Sequence, residues 1–172
     1  MRMKMMLAAA MMVATALSVG TTAQAAAPYC GITWGSGDKS AGDHTQAQLL
    51  TVRTGRHDCY DRVVFEFEGA ASGYRAAYGE AYTQGGGVAL SPYTAGGAVI
   101  ELVLLEPAAY ATGEHVAAVV PYDTLRDVVA GGTSEGYTTF AIGVRARLPY
   151  RVFTLNGPGT HSRIVVDVAH QW

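Results

Sequence analysis

Short runs in which apolar and polar residues alternate follow one another from residue 49 onward, and glycine-rich stretches separate them. Within 62–68 every second residue is apolar, which is typical of a strand with one buried face. The last run, 163–168, repeats the alternation and places Arg163 and Asp167 on the side predicted to face solvent. The predicted strands are 49–53, 62–68, 74–78, 99–105, 115–120, 138–145, 150–155 and 163–168. Short strands with turn signals between them predict an all-β fold, a β-sandwich of two antiparallel sheets.

The segment 125–129 fits two structures. Leu125, Val128 and Val129 have helical spacing, with Asp123 in the N-cap position. A comparison of the two halves of the chain favours a strand, because a shift of 77 residues superposes similar residues. The superposed pairs are Val52 and Val129, Gly55 and Gly132, Tyr60 and Tyr137, Val63 and Phe140, Phe65 and Ile142, and Phe67 and Val144. The sequence therefore predicts a pseudo-duplicated sandwich.

Residues 1–27 have the layout of a secretory signal peptide. Positive charge at Arg2 and Lys4 precedes an apolar run, and small residues follow it. The apolar run is shorter than the about 20 residues that a membrane span needs. This favours cleavage after Ala25 or Ala27 over a stable membrane span. We expect a protein that is exported from the cytoplasm.

Removal of the signal peptide leaves residues 28–172, enough for one domain with one core, and we expect a monomer. The chain carries 12 Lys and Arg against 14 Asp and Glu. Two of the basic residues leave with the signal peptide, so the mature net charge is −4. A mildly acidic protein has no general attraction to nucleic acid or to anionic lipid, and neither is expected as a partner.

Cys30 and Cys59 are the two cysteines of the chain. An isolated pair in an exported protein favours a disulfide over a metal site or a nucleophile. Closing a loop of this size stabilises a fold by about 3 to 4 kcal/mol in the chain-entropy model. The bridge is predicted to pin the loop-like segment 28–48 onto the strands.

Sequence motifs for catalysis are missing. The five histidines have no H-x-H or H-E-x-x-H spacing, and no G-x-S-x-G motif occurs. The glycines at 85–87 lack the lysine of a phosphate-binding loop. We therefore expect no enzyme, no catalytic residue, no metal and no cofactor, although carboxylates that meet only in the folded protein stay possible.

Arginine and aromatic side chains offer chemistry for binding instead. Guanidinium groups hold carboxylates, and flat amphipathic rings serve carbohydrate and peptide binders. The predicted ligand-binding residues are Arg145, Arg147, Arg151, Tyr150 and Trp34. The alternative for the arginines is an ion pair with a strand carboxylate such as Glu66 or Asp167, and for the tyrosines a place at the rim of the sandwich.

Three segments resemble the AMIN-like domain proteins of actinobacteria: YCGITWG at 29–35, VRTGRHDCYDR at 52–62 and GVRARLPYRV at 143–152. The ending RIVVDV at 163–168 is similar to the closing strand of the broader AMIN domain of cell-wall amidases. The resemblance extends over essentially the whole mature chain. It implies a sandwich of two similar sheets and a non-catalytic module, since AMIN domains localise envelope proteins by contacting peptidoglycan. It transfers no binding residue.

The predicted function is non-catalytic binding of a cell-envelope polymer, with peptidoglycan first. A secreted protein–protein interaction module, as a partner or inhibitor of another secreted protein, is the alternative, and an exposed apolar patch would favour it. A hydrolase is the third possibility, and carboxylates converging in a deep pocket would favour that.

Overall fold

The computed structural model describes residues 28–117, 119 and 122–172, so the predicted signal peptide lies outside the described residues. Strands dominate this part of the chain, with single turns of 3₁₀ helix at Tyr29–Gly31 and Ser91–Tyr93. The strands are β1 (Lys39–Ala41), β2 (Gln48–Arg56), β3 (Tyr60–Glu68), β4 (Tyr74–Tyr78), β5 (Ala98–Leu104), β6 (Leu125–Ser134), β7 (Tyr137–Val144), β8 (Tyr150–Asn156) and β9 (His161–Ala169).

Two antiparallel sheets form a sandwich, which confirms the predicted fold class. One has four strands in the order β2-β3-β9-β8, and the other has five in the order β1-β4-β5-β7-β6. The alternating apolar residues of the strands point between the sheets and form the core. Phe65 of β3 and Phe140 of β7 meet there with ring centroids 4.9 Å apart. Segment 125–129 lies in β6, so the strand predicted for it is confirmed.

The two halves of the chain have equivalent structures. β2 and β3 begin at residues 48 and 60, and β6 and β7 begin 77 residues later, at 125 and 137. Each sheet contains one strand pair from each half. The four-stranded sheet has β2 and β3 with β8 and β9, and the five-stranded sheet has β4 and β5 with β6 and β7. Tyr74 at the start of β4 donates its hydroxyl to the carbonyl of Val152 in β8, and Tyr150 at the start of β8 donates to Ala76 in β4, both at 2.9 Å. These reciprocal bonds confirm the predicted pseudo-duplication.

The predicted strand 115–120 is wrong for the residues that the structure describes within it. His115 forms an isolated bridge with Val129, and Val116 donates a backbone hydrogen bond to Val128. The segment therefore touches the open edge of β6 without continuing as a ladder. Its apolar residues contribute to the core, with Val116 packed against it, and this explains a strand-like pattern in a loop.

The disulfide between Cys30 and Cys59 is present, which confirms the predicted pairing. It ties the N-terminal segment to the turn between β2 and β3. Further along this segment, the amide of Tyr150 donates to the carbonyl of Gly35 at 2.9 Å, so the segment adds a short extension beside β8. These two attachments position Trp34, which lies between them in sequence.

Candidate functional site

A row of three charged side chains crosses the outer face of the four-stranded sheet. The strand register places Asp167 of β9 between Arg62 of β3 and Arg151 of β8. Side chains on the same face of paired strands are close neighbours, so both guanidinium groups reach the one carboxylate. Arg62 donates from Nε to Oδ1 at 2.6 Å and from Nη2 to Oδ2 at 2.9 Å. Arg151 donates from Nε to Oδ2 at 2.8 Å, and its Nη2 lies 2.7 Å from the same oxygen.

Asp167 was predicted to face solvent, and this prediction is wrong because its side chain has no exposed surface. It does point away from the core, as the alternation predicts, but the two arginines cover it. The side chains of Arg62 and Arg151 keep 22% and 32% of their surface. The hydrogen bond to Asp167 is the main reason why the pKa of Arg62 lies above its ordinary value, with burial acting in the other direction. Two positive groups share one negative group, so the row carries one excess positive charge.

Aromatic rings surround the two arginines. The guanidinium carbon of Arg151 lies 4.9 Å from the ring centroid of Phe153, 5.4 Å from that of Trp34 and 5.5 Å from that of Tyr60. The guanidinium carbon of Arg62 lies 5.2 Å from Tyr60 and 5.5 Å from Phe153. These distances are within the range of cation–π attraction. We call these five residues the arginine–aromatic ridge.

Trp34 also borders an apolar cleft of about 260 Å³, which we call the tryptophan cleft. The indole Nε1 of Trp34 donates to the carbonyl of Tyr29 at 2.9 Å, so its polar atom is satisfied internally. Trp172 also lines the cleft and is 71% exposed. The lining residues are Pro28, Tyr29, Ile32, Thr33, Trp34, Pro149 and Trp172. The cleft and the ridge therefore meet at the ring of Trp34.

Of the predicted binding residues, the structure brings Trp34 and Arg151 together. Arg145 and Arg147 are exposed and lie in the bend that follows β7. Arg145 donates to the carbonyl of His170. Arg147 stacks over Tyr78, with its guanidinium carbon 5.0 Å from the ring centroid. Both arginines thus stand apart from the ridge.

Tyr150 is the predicted residue that the structure removes from the accessible surface. Its side chain is fully buried, and its hydroxyl donates to Ala76 inside the core. Desolvation by burial is the main cause that raises the pKa of Tyr150 to about 12. The residue closes the pseudo-symmetric pair with Tyr74, so its role is structural.

The family model described as AMIN-like domain matches residues 47–170. The chain belongs to the AMIN-like domain family. AMIN-like domains are generally non-catalytic accessory domains related to cell-wall amidases, and they are associated with extracytoplasmic cell-wall proteins. No curated protein matches the chain. The match includes the ridge residues on β3 and β8 and begins after Trp34, so Trp34 belongs to a segment that precedes the matched region.

A second groove, of about 450 Å³, lies on the outer face of the five-stranded sheet of this AMIN-like domain. Its charged lining residues are Asp38, Lys39, Arg75 and Glu101, and none of its lining residues is aromatic. Burial lowers the pKa of Lys39, and nearby Asp38 partly offsets that effect. The positive and negative charges in this groove balance. It therefore lacks both the rings and the excess charge of the ridge.

Three further carboxylates, Asp61, Glu106 and Asp127, are buried in the described part of the AMIN-like domain, and each accepts a hydrogen bond from a neighbouring segment. Asp61 accepts hydrogen bonds from the amides of Thr124 and Leu125 at 2.6 and 2.9 Å, and it lies 3.0 Å from Nε2 of His170. Glu106 is fully buried, and burial raises its pKa. Over the described ranges, no three His, Cys, Asp or Glu side chains are arranged to hold a metal ion. No helix in that part of the chain is long and apolar enough to cross a bilayer.

Sequence reasoning missed three members of the charged and aromatic cluster: Tyr60, Arg62 and Phe153. The available signal was the polar side of 62–68 and of 163–168, which alternation assigns to the outer face. Which strands lie side by side was not readable, because Arg62 and Asp167 are 105 residues apart in the chain. Only the strand order β3-β9-β8 assembles the row.

Proposed function

We propose that this AMIN-like domain is an exported, non-catalytic module that binds a cell-envelope polymer, with peptidoglycan first. Its signal peptide, residues 1–27, would be removed, leaving 28–172 as a monomer that is secreted or stays with the wall. Membership of a family related to cell-wall amidases supports this role. The disulfide supports export, because such bonds persist in oxidising compartments outside the cytoplasm.

The observation that carries the proposal is the junction of the tryptophan cleft with the ridge at Trp34. Rigid aromatic faces give sugar rings a large contact area at a low entropic cost. The cleft volume is below the about 300 to 1,000 Å³ of a site that encloses a small molecule. An open cleft of this size suits one stretch of a polymer that continues beyond it on both sides.

Sedimentation with purified peptidoglycan sacculi tests the proposal. We expect the exported protein to pellet with sacculi, and Trp34→Ala to lower the affinity by about tenfold or more, as truncation of an aromatic anchor does. Trp34 lies outside the sheets, so its variant should keep the circular dichroism spectrum of the parent. Tyr93→Ala is the matched control, because Tyr93 is 63% exposed and lies outside the cleft. Pelleting no greater than that of an unrelated acidic protein at low salt would remove the proposal.

An exposed apolar surface favours protein docking as a second candidate function. Val88 and Tyr93 keep 55% and 63% of their surface beside a pocket of about 330 Å³. Apolar surface of this kind marks interaction sites when it is contiguous. Docking of a protein on this patch would leave pelleting with purified sacculi unchanged in Tyr93→Ala. A loss of pelleting in Tyr93→Ala, with Trp34→Ala unaffected, would instead move polymer binding to this patch.

A further inference from the structure

We infer that the ridge recognises a carboxylate on the bound polymer, so that the ligand is an acidic glycan or glycopeptide and not a neutral one. This inference rests on the proposed function and names the chemistry of its ligand. The cluster that carries it joins Arg62, Arg151 and Asp167 on the outer face of the four-stranded sheet.

The first argument is the charge of the row. Asp167 neutralises one of the two guanidinium groups, and within the described ranges neither Arg62 nor Arg151 has a second carboxylate partner. Both arginines use Nε and Nη2 for Asp167. Their Nη1 groups have no hydrogen-bond partner among the described residues. A planar carboxylate fits such guanidinium donors better than a neutral hydroxyl does.

The second argument is the setting of this charge. The side chain of Arg151 is two-thirds buried, with 32% exposed, and three rings lie against its guanidinium group. A partly desolvated charge interacts more strongly with an anion than one that is surrounded by water. The remaining exposure leaves part of the Arg151 side chain open to a ligand. The net charge of residues 28–172 is −4, so attraction of an acidic polymer must come from a local site such as this one.

The third argument is the position of Trp34. Its ring borders the tryptophan cleft and lies beside the guanidinium group of Arg151. A polymer that packs a sugar ring on Trp34 therefore brings the substituents of that sugar to Arg151. The site offers Trp34 to the apolar face of a sugar and the guanidinium group of Arg151 to a carboxylate on that sugar.

The pseudo-duplication supplies a matched control. In the five-stranded sheet, Arg75 of β4 pairs with Val103 of β5 at the place equivalent to Arg151 and Asp167. Arg75 is exposed and has no ion pair within the described part of the chain. Arg75→Gln thus removes the same side chain from the equivalent strand without touching the ridge.

The test uses sacculi from which hydrofluoric acid has removed phosphodiester-linked polymers, so that phosphate cannot account for binding. One half is left with its carboxylates, and in the other half a carbodiimide and ammonia convert them to amides. We expect the parent protein to bind the amidated sacculi about tenfold or more weakly, as for a lost hydrogen bond to a charged group. Arg151→Gln should bind both preparations equally, at the level of the parent on amidated sacculi. Arg75→Gln should behave as the parent does.

The outcomes separate the inference from the proposed function. Equal binding of the parent protein to native and amidated sacculi would overturn the carboxylate and leave polymer binding intact. Binding to neither preparation would overturn both. If Arg151→Gln still discriminates between the two preparations, or Arg75→Gln does not, the carboxylate is bound elsewhere and the assignment to the ridge fails. The comparison of the two preparations with the parent protein needs no variant, so a poorly folded variant does not remove the test.

Discussion

Asp167→Asn should be among the most destabilising surface-face substitutions in this domain. Asparagine keeps the shape of aspartate but loses the negative charge, so Arg62 and Arg151 face each other without a counterion. Asp167 accepts bonds from both guanidinium groups, and its side chain has no exposed surface. Breaking a buried ion pair by removing one partner costs about 3 to 5 kcal/mol.

The lower end of that range is expected here. The two arginines keep 22% and 32% of their side-chain surface, so water can solvate them once the carboxylate is gone. We therefore expect a loss of about 3 kcal/mol in the free energy of unfolding, because partial exposure weakens the electrostatic penalty. For a domain of this size, that corresponds to a fall of about 10 °C in Tm.

Urea unfolding at pH 7, followed by circular dichroism, measures this loss. The midpoint should fall while the m value stays constant, since the fold is retained. Arg56→Gln is the control, because Arg56 is 59% exposed and its partner Asp123 is 45% exposed. An exposed pair contributes about 0 to 1 kcal/mol. If the two variants lose equal stability, the row is not the buried ion cluster described above, and the argument from its charge fails with it.

Four further results are expected. The double variant Cys30→Ser, Cys59→Ser should lower the free energy of unfolding by about 3 to 4 kcal/mol. Unfolding the parent protein in urea with a reductant should show the same loss. An unchanged urea midpoint in both experiments would contradict a structural role of the disulfide. Gly143→Ala should lower the free energy of unfolding by about 1 to 3 kcal/mol or more through overpacking, because the added Cβ would lie 1.9 Å from the carbonyl oxygen of Ala95. Gly79→Ala is the control: nothing lies within 4 Å of its added Cβ, so the urea midpoint should change little. Relative to the parent, Glu106→Gln should become more stable as the pH rises from 4 to 7. Burial raises the pKa of Glu106, so the parent loses stability as the pH rises from the ordinary carboxyl pKa through the raised one. Glutamine does not ionise and avoids this loss. A gain that shrinks over this range would contradict that sign. The intact mass of exported protein should correspond to a chain that begins at Ala26 or Pro28, and detection of the full-length chain in the medium would contradict cleavage.

The position of Trp34 explains why the disulfide bears on binding as well as on stability. Cys30 is bonded to Cys59, and Trp34 is held between that bond and the Gly35 bridge to β8. The family match begins at residue 47, so the matched region contributes Arg62 and Arg151 but not this tryptophan. The proposed site thus joins a segment that precedes the matched region to the sheet of the AMIN-like domain.

Local pattern predicted most of the strands because alternation is a property of neighbouring residues. In β3, Val63, Phe65 and Phe67 are buried as predicted, since a pleated strand sends every second side chain to the core. The equivalent spacing of the two hairpins was visible for the same reason, and the disulfide followed from the number of cysteines. Two segments differ from the pattern: β1 (Lys39–Ala41) lies in the segment predicted as loop-like, and the apolar run 115–120 packs on the core at a sheet edge without forming a strand.

The sequence by itself determined which residues of each strand face the core, where the chain turns and which cysteines pair, because these depend on contacts close in the chain or on a single choice of partner. Only the tertiary structure decided which strands are neighbours, and therefore that Arg62, Asp167 and Arg151 form one row. It also decided that Tyr150 lies in the core and that Trp34 borders both cleft and ridge. Those arrangements depend on strands that are far apart in the sequence, and the alternating pattern of one strand does not indicate which strand it pairs with.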